Sequence, residues 1–267
     1  MGPLKTFGVA TSKCTGGRSS SRQRWIGMKL PTLCTILVTA VFLVLERRYP
    51  GRSLPHSSGW YARALAVNLA QLGITLLTGN LWLGVFGEHS VAQLAAWHLP
   101  IAEGVVGWFV GSFVFYWWHR LRHQDGFWRI FHQLHHSPAR VEILTSFYKH
   151  PVEIVVNALV SATILYPVLG CSVLGAVWYN FFAATAEYFY HANLRTPAWL
   201  RYVIQTPELH SIHHQYGVHA FNYGDLPLWD RLFGTYRDAT TFAERCGFRE
   251  GAEQRLGAML AFVDVDD

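Results

Sequence analysis

Residues 101–123, IAEGVVGWFVGSFVFYWWHRLRH, join an apolar run directly to a pair of histidines. The apolar run covers Ile101–Trp118 and passes without a break into His119 and His123. A membrane-spanning helix needs about 20 consecutive apolar residues. Histidines four positions apart lie on the same face of a helix. This stretch therefore predicts a membrane helix whose end carries two imidazoles toward one point.

Two further histidine clusters follow, with spacings of three and one: His132-x-x-His135-His136 and His210-x-x-His213-His214. The three clusters hold eight of the 14 histidines, and a ninth, His191, ends another apolar run. Neutral imidazole binds iron, copper, nickel and zinc. A structural zinc ion takes about four ligands, so nine converging imidazoles are enough for two metal ions with open positions. The predicted ligands are His119, His123, His132, His135, His136, His191, His210, His213 and His214.

Several other polar residues are candidates for a lesser role. Glu187 lies one turn before His191, and it either binds metal or accepts a hydrogen bond from a ligand. His150 is open between ligand, supporting residue and membrane-entry residue. Asn222, with Tyr223 and Asp230, is expected to position the cap or support the ligands. We expect the remaining histidines, which match no cluster, to lie in loops or polar connections: His56, His89, His98 and His219.

The composition is that of a membrane protein. Hydrophobic residues make up 51% of the chain and charged residues 15%, against about 25% charged in soluble domains. Apolar runs at about 28–45, 62–86, 101–118, 152–169 and 172–190 predict an all-α bundle with about four or five spanning segments. If these runs were buried helices of a soluble protein, too little polar chain would remain to cover them. We therefore expect a polytopic helical bundle with a helical cap that carries the histidines.

The basic residues predict how the bundle is oriented. The connections at about 87–100 and 168–171 contain no Lys or Arg, whereas the histidine-bearing side contains Arg47, Arg48, Arg52, Arg120, Arg122, Arg129, Arg140 and Lys149. Positive residues favour the cytoplasmic side, so we expect the metal site there. Five spans would place the basic N-terminus outside. Either the first apolar run is interfacial or a half-span, or residues 1–27 are not part of the natural chain, and both alternatives stay open.

Other classes of site find no support in the sequence. The basic residues are scattered beside apolar runs, which argues against a nucleic-acid partner. The four cysteines are far apart and form no CxxC, so neither a disulfide framework nor a thiolate metal site is expected. No Gly-rich phosphate-binding motif is present in the sequence.

The ordered set of motifs resembles the fatty acid hydroxylase/sterol desaturase superfamily, most of all its bacterial members. The resemblance covers about residues 35–240. It is carried by the histidine motifs above together with His150-Pro151-x-Glu153, His191-Ala192-Asn193, Thr206-Pro207, Asn222-Tyr223-Gly224 and Trp229-Asp230-Arg231-Leu232-Phe233-Gly234-Thr235. Some members carry a histidine at the position of Glu187, which puts a ligand role for this residue in doubt.

The resemblance implies a membrane oxygenase with a cytoplasmic di-iron centre bound mainly by histidine. Such an enzyme uses O2 to hydroxylate or desaturate a lipid from the bilayer, with electrons from a separate reductase, ferredoxin or cytochrome-type partner. Zinc could replace iron in purified protein, because imidazole also accepts zinc. The location implied is a bacterial inner membrane. Fatty acyl chains, sterol-like lipids and other apolar substrates all remain open.

The predicted organisation has four parts. Residues 1–27 form a basic, disordered segment, 28–118 form membrane helices, and 119–240 form the catalytic domain with a membrane hairpin at about 152–190. Residues 241–267 form a C-terminal tail. The alternative function is a histidine-rich metal transporter or metal-storage protein. Transporters place polar ligands inside broken helices at mid-membrane depth, whereas here the clusters flank the spans, which favours the enzyme.

Overall fold

The computed structural model describes residues 19–86 and 89–266, and these residues form helices without a β-strand. Most of the predicted segment 1–27 lies outside the described residues. The α-helices in chain order are α1 (Ser19–Arg48), α2 (Trp60–Phe86), α3 (Pro100–Arg122), α4 (Asp125–Phe127), α5 (Gln133–His136), α6 (Pro151–Thr163), α7 (Val173–His191), α8 (Pro207–His213), α9 (Pro227–Leu232) and α10 (Leu256–Leu260). One turn of π-helix, Trp128–His132, joins α4 to α5, and another, Ile164–Val168, extends α6.

Side-chain caps fix where the later helices begin. The Ser172 hydroxyl accepts a hydrogen bond from the Gly175 amide at 3.0 Å and starts α7. The Thr206 hydroxyl accepts one from the Leu209 amide at 3.3 Å, and Pro207 occupies the first turn of α8. Such caps satisfy amides that have no partner inside the helix. Thr206 is therefore the N-cap of α8.

Three of the described helical stretches are long and apolar enough to cross a membrane: Lys29–Arg48, Pro100–Arg122 and Pro151–Val168. The predicted runs at 62–86 and 172–190 also form helices, α2 and α7, and their crossing stays a prediction. Large apolar side chains point outward from the bundle, with Leu37 64% exposed on α1 and Leu77 76% exposed on α2. Hydrocarbon is the solvent that suits such a surface.

The closest helix contact, between α3 and α7, depends on glycines. A Cβ atom on Gly104 would lie 2.6 Å from Trp178 Cβ, and one on Gly111 would lie 2.9 Å from Tyr179 Cε2. Small residues let membrane helices approach until their backbones almost touch. Because His119 is near the end of α3 and His191 ends α7, this contact sets the separation of two predicted ligands.

A buried carboxylate ties the cap to α1 and α2. Glu142, which is fully buried, accepts hydrogen bonds from Arg47 Nη1 at 2.7 Å, Trp60 Nε1 at 2.7 Å and Arg140 Nε at 2.8 Å. Arg47 lies at the end of α1 and Trp60 at the start of α2. A buried charge is stable only when it is paired and hydrogen-bonded, so this junction holds both helix ends at the cap.

The segment after residue 240, predicted as a tail, packs into the cap. Its buried residues Phe248, Met259 and Val265 share a core with Trp60 of α2 and Leu134 of α5. The packing was not foreseen because the apolar residues of this segment follow no helical or strand period over a useful length. The segment is therefore part of the folded body that surrounds the histidines.

Gly104→Ala is expected to lower the midpoint of thermal unfolding of the detergent-solubilised protein, because its Cβ would strike Trp178. Overpacking of this kind costs about 1–3 kcal/mol. Gly73→Ala in α2 is the matched control, since no atom lies within 4 Å of its Cβ position. An equal midpoint for the two variants would contradict the close α3–α7 contact.

Candidate metal centre

The nine predicted ligands come together at one end of the bundle, from four separate places in the chain. His119 lies in the last turn of α3 and His123 directly after it. The second cluster lies on the π-turn and α5, His191 ends α7, and the third cluster occupies α8 and the residue that follows it. The helix ends and caps described above therefore deliver all nine imidazoles to one region.

The nine side chains separate into two groups, within each of which the candidate ligand atoms lie within 4.8 Å of one another. The five-histidine group consists of His119, His123, His132, His136 and His213. The four-histidine group consists of His135, His191, His210 and His214. Neighbouring residues divide between them: His135 and His136 belong to different groups, as do His213 and His214. The groups are adjacent, because the rings of His136 and His214 stack at 4.1 Å between centroids.

Backbone carbonyls set the protonation of several rings. The Nδ1 atoms of His119, His213 and His191 lie 2.7 Å from Tyr223 O, 2.7 Å from Phe221 O and 2.9 Å from Glu187 O. A carbonyl oxygen only accepts, so each Nδ1 carries the hydrogen and donates it. In the neutral ring the Nε2 atom then has an unprotonated lone pair, which is the form that binds metal.

These lone pairs face one another. His191 Nε2 lies 3.2 Å from His135 Nε2 and 3.1 Å from His210 Nε2 in the four-histidine group. In the five-histidine group, His119 Nε2 lies 2.8 Å from His132 Nε2, whose ring directs its Nδ1 to the Glu153 carboxylate at 3.2 Å. Converging lone pairs repel unless positive charge lies between them. The donor set therefore fits metal ions, one in each group.

Burial keeps the imidazoles neutral. Desolvation is the main cause that lowers the pKa of His213 to about 3. Burial, together with the neighbouring imidazoles, also holds the pKa of six further members well below its ordinary value: His123, His132, His135, His136, His210 and His214. Because protons and metal ions compete for the same nitrogen, this environment favours metal binding near neutral pH.

The lesser candidates lie outside both groups, each with partners of its own. His150 caps α6, accepting from the Val152 amide at 3.1 Å, and its Nε2 lies 3.3 Å from Leu260 O. Glu187 accepts from Lys149 Nζ at 2.6 and 2.7 Å. Asn222 donates through Nδ2 to Leu209 O at 3.1 Å. The three side chains hold the frame around the histidines.

His219 comes closer to the site than its sequence context indicated. Its Nδ1 lies 3.1 Å from Nδ1 of His136, and its ring also contacts Trp128 and Phe248. It stands in a loop without helical spacing, so the sequence offered no signal for this contact. By contrast His56, His89 and His98 are exposed and belong to neither group.

A cavity of about 820 Å³ reaches from both groups toward the apolar helices. His119 and His132 of one group and His135, His191 and His210 of the other line its inner end. Farther out, its walls are formed by α1 and α2, which pack on α7 and α6 respectively. This volume is at the upper end of the range for single small-molecule sites.

A family model and several known proteins are similar to this chain. Residues 104–235 match the family model described as fatty acid hydroxylase. The chain is similar to an ornithine lipid hydroxylase of Rhizobium tropici, at 32% identity over 52% of this chain and 43% of the relative. It is also similar to methylsterol monooxygenase 2-1 of Arabidopsis thaliana, at 36% identity over 34% of this chain and 33% of the relative.

A third relative is a very-long-chain aldehyde decarbonylase of Oryza sativa subsp. japonica, at 32% identity over 46% of this chain and 21% of the relative. The chain thus matches less than half the length of each of these three proteins. No solved structure matches the chain.

Glu187→Ala is expected to keep the metal content of the wild-type protein, because the carboxylate pairs with Lys149 and the residue 187 carbonyl that orients His191 is retained. His191→Ala, one turn away, is expected to lose metal from the four-histidine group. Metal analysis of both variants after identical loading tests this. If Glu187→Ala bound fewer ions than the wild-type protein, Glu187 would be a metal ligand.

Proposed function

Because the chain belongs to the fatty acid hydroxylase family through residues 104–235, we propose that it is a membrane-bound di-iron oxygenase that hydroxylates or desaturates a lipid. The reaction uses O2, and electrons come from a separate reductase, ferredoxin or cytochrome-type protein. The observation that carries the proposal is the pair of histidine groups with facing Nε2 lone pairs at the inner end of a large cavity.

Oxidation of an unactivated C–H bond needs redox chemistry that side chains do not possess, and iron with O2 supplies it when bound. The residues of this chain would hold the metal ions, orient the imidazole rings and enclose the site. Nine imidazoles provide the ligand atoms, and the carbonyls of Tyr223, Phe221 and Glu187 fix three of the rings. Burial excludes bulk water from the ligands, which protects a strong oxidant from side reactions.

The cavity suits a lipid with one polar end. Leu65, Leu69 and Leu72 of α2 and Ile36 of α1 offer apolar walls for an alkyl portion. Polar groups line its other end, beside the histidines. There Lys149 pairs with Glu187, and Trp108 Nε1 donates to Asp225 Oδ2 at 3.1 Å. Burial raises the pKa of Asp225 to about 6, so this carboxyl gains from a donor on the substrate.

The relatives support a lipid as the substrate class, since two of them are named for an ornithine lipid and a methylsterol. The apolar helices support a membrane location. We place the protein in a bacterial inner membrane with the histidine groups on the cytoplasmic side. The absence of Lys and Arg from residues 89–100 and 168–171, at the far ends of the helices, supports this orientation.

Metal transport or storage is the alternative, and the helix geometry disfavours it. Transporters bind ions where spanning helices are broken near mid-membrane. Here α3 and α7 run without interruption to His119 and His191, and the ligands lie at the helix ends. An ion held there would be enclosed by the cap and not placed along a path through the bundle.

Lipid extracts of cells that produce the wild-type protein are expected to contain a species with one added oxygen or two fewer hydrogens. His135→Ala should abolish it, because the variant lacks a ligand of the four-histidine group. His98→Ala, which changes an exposed histidine, should preserve it. Mass spectrometry of the extracts, with iron-dependent O2 consumption by purified protein, provides the measurement. Identical lipids in all three strains, together with no O2 consumption above that of His135→Ala, would contradict the proposal.

The orientation has its own test. A membrane-impermeant thiol reagent applied to intact cells should label Gln93→Cys and spare Gln124→Cys. Both positions are exposed, one at each end of α3. The parent chain with its native cysteines is the control. Labelling of residue 124 and protection of residue 93 would reverse the orientation.

A further inference from the structure

One short loop, residues 219–223, orients three members of the five-histidine group. Two of its carbonyls accept hydrogen bonds from candidate ligands: Phe221 O from His213 at 2.7 Å and Tyr223 O from His119 at 2.7 Å. A hydrogen bond to the far nitrogen of a metal-binding imidazole fixes its tautomer and its direction and raises its basicity.

The loop reaches this geometry through an unfavourable backbone conformation. His219, Phe221 and Asn222 have φ values of 41°, 68° and 47°, a left-handed region that non-glycine residues rarely adopt. Such conformations are unfavourable and persist only where the surroundings enforce them. The restraint is visible here: Gln205 Nε2 donates to Asn222 O at 2.6 Å, and the Tyr223 amide donates to Asp230 Oδ1 at 2.8 Å.

The His219 side chain orients a third member of the group. Among the described residues, His136 Nε2 is buried without a hydrogen-bond partner, and His136 belongs to the five-histidine group. Its Nδ1 then carries the hydrogen and donates it to His219 Nδ1, 3.1 Å away. The hydrogen of His219 is then on Nε2, which lies 3.7 Å from Asp266 Oδ2, beyond hydrogen-bond distance. A fourth member, His132, has the Glu153 carboxylate 3.2 Å from its Nδ1.

The rings of the four-histidine group have fewer hydrogen-bond partners at Nδ1. Its Nε2 atoms converge, but only His191 has a protein partner for Nδ1, the Glu187 carbonyl. Within the described residues, Nδ1 of His135, His210 and His214 is buried without a hydrogen-bond partner. Four of the five rings in one group therefore have a partner within hydrogen-bond distance of Nδ1, against one ring of four in the other.

We propose that the two metal positions are inequivalent: the five-histidine group binds its ion more tightly and fills first, and residues 219–223 are the reason. His219 is a positioning residue that acts on His136 through its ring. This inference rests on the proposed function only in requiring two ions per chain. Loss of such outer contacts lowers metal affinity about 10- to 100-fold, which sets the expected difference between the positions.

The test is a titration of metal-free, full-length protein in detergent with Co²⁺, in competition with a chromophoric chelator. Wild-type protein should bind two ions with dissociation constants that differ about tenfold or more. His213→Ala, which removes a ligand of the five-histidine group, should abolish the tight position. His214→Ala, in the other group, should abolish the weak one.

His219→Ala should weaken the tight position about tenfold and leave the weak position unchanged, because the ring contact with His136 is lost while the carbonyls of Phe221 and Tyr223 still accept from His213 and His119. His98→Ala is a close control. His98 is exposed, lies in neither group and has a left-handed φ of 55°, so it reports the effect of removing an imidazole from such a backbone position. This control should bind as the wild type does. His219→Asn, which tolerates a positive φ and offers an acceptor, should restore part of the affinity.

Three outcomes would overturn the inference: two equal affinities in the wild type, loss of the weak position in His213→Ala, or wild-type binding by His219→Ala. Binding of one ion or fewer by well-folded wild-type protein would instead refute the dinuclear centre of the proposed function. The two failures are therefore distinguishable. Since the readout is metal binding, it needs neither a substrate nor an electron donor.

Discussion

The arrangement of this protein depends on one electrostatic constraint: nine neutral imidazoles, eight of them buried and His123 half-buried, that converge with lone pairs directed at one another. Contacts such as 2.8 Å between the Nε2 atoms of His119 and His132 are unfavourable unless a cation lies between them. Everything near the histidines serves to maintain this arrangement. The glycine contact of α3 with α7 positions two ligands, the caps of α7 and α8 start the helices that carry others, and carbonyls turn the rings inward.

The sequence predicted the helical class, the metal-ligand candidates and their convergence, because these depend on spacing. Apolar runs predict helices, and histidines three and four residues apart share a helical face. The sequence could not predict features that depend on backbone conformation outside the regular helices. The carbonyls of residues 219–223 point at the ligands only because three non-glycine residues adopt positive φ values. No residue type or period in that stretch indicates such a loop, and His219 was accordingly missed.

The packing of the region after residue 240 could not be predicted from the sequence for a related reason. Phe248 lies in irregular chain, and Met259 and Val265 lie in or just after an apolar run of only eight residues, 256–263, of which five form a helix. Their burial depends on partners in α2 and α5, which are distant in the sequence. Sequence patterning detects elements that bury a continuous face, whereas this segment fills gaps between elements. Its contribution to the cap, including the approach of Asp266 to His219, is a property of the tertiary structure alone.

The junction at Glu142 has a mechanical consequence for the cavity. It fastens the end of α1 and the start of α2 to the cap through Arg47 and Trp60, while the two helices pack on different neighbours, α7 and α6. Two helices attached to the cap at one end are held together most firmly at that end. The cap therefore restrains the spacing of α1 and α2 beside the histidines and leaves their opposite ends, where both helices still line the cavity, the least restrained part of its wall.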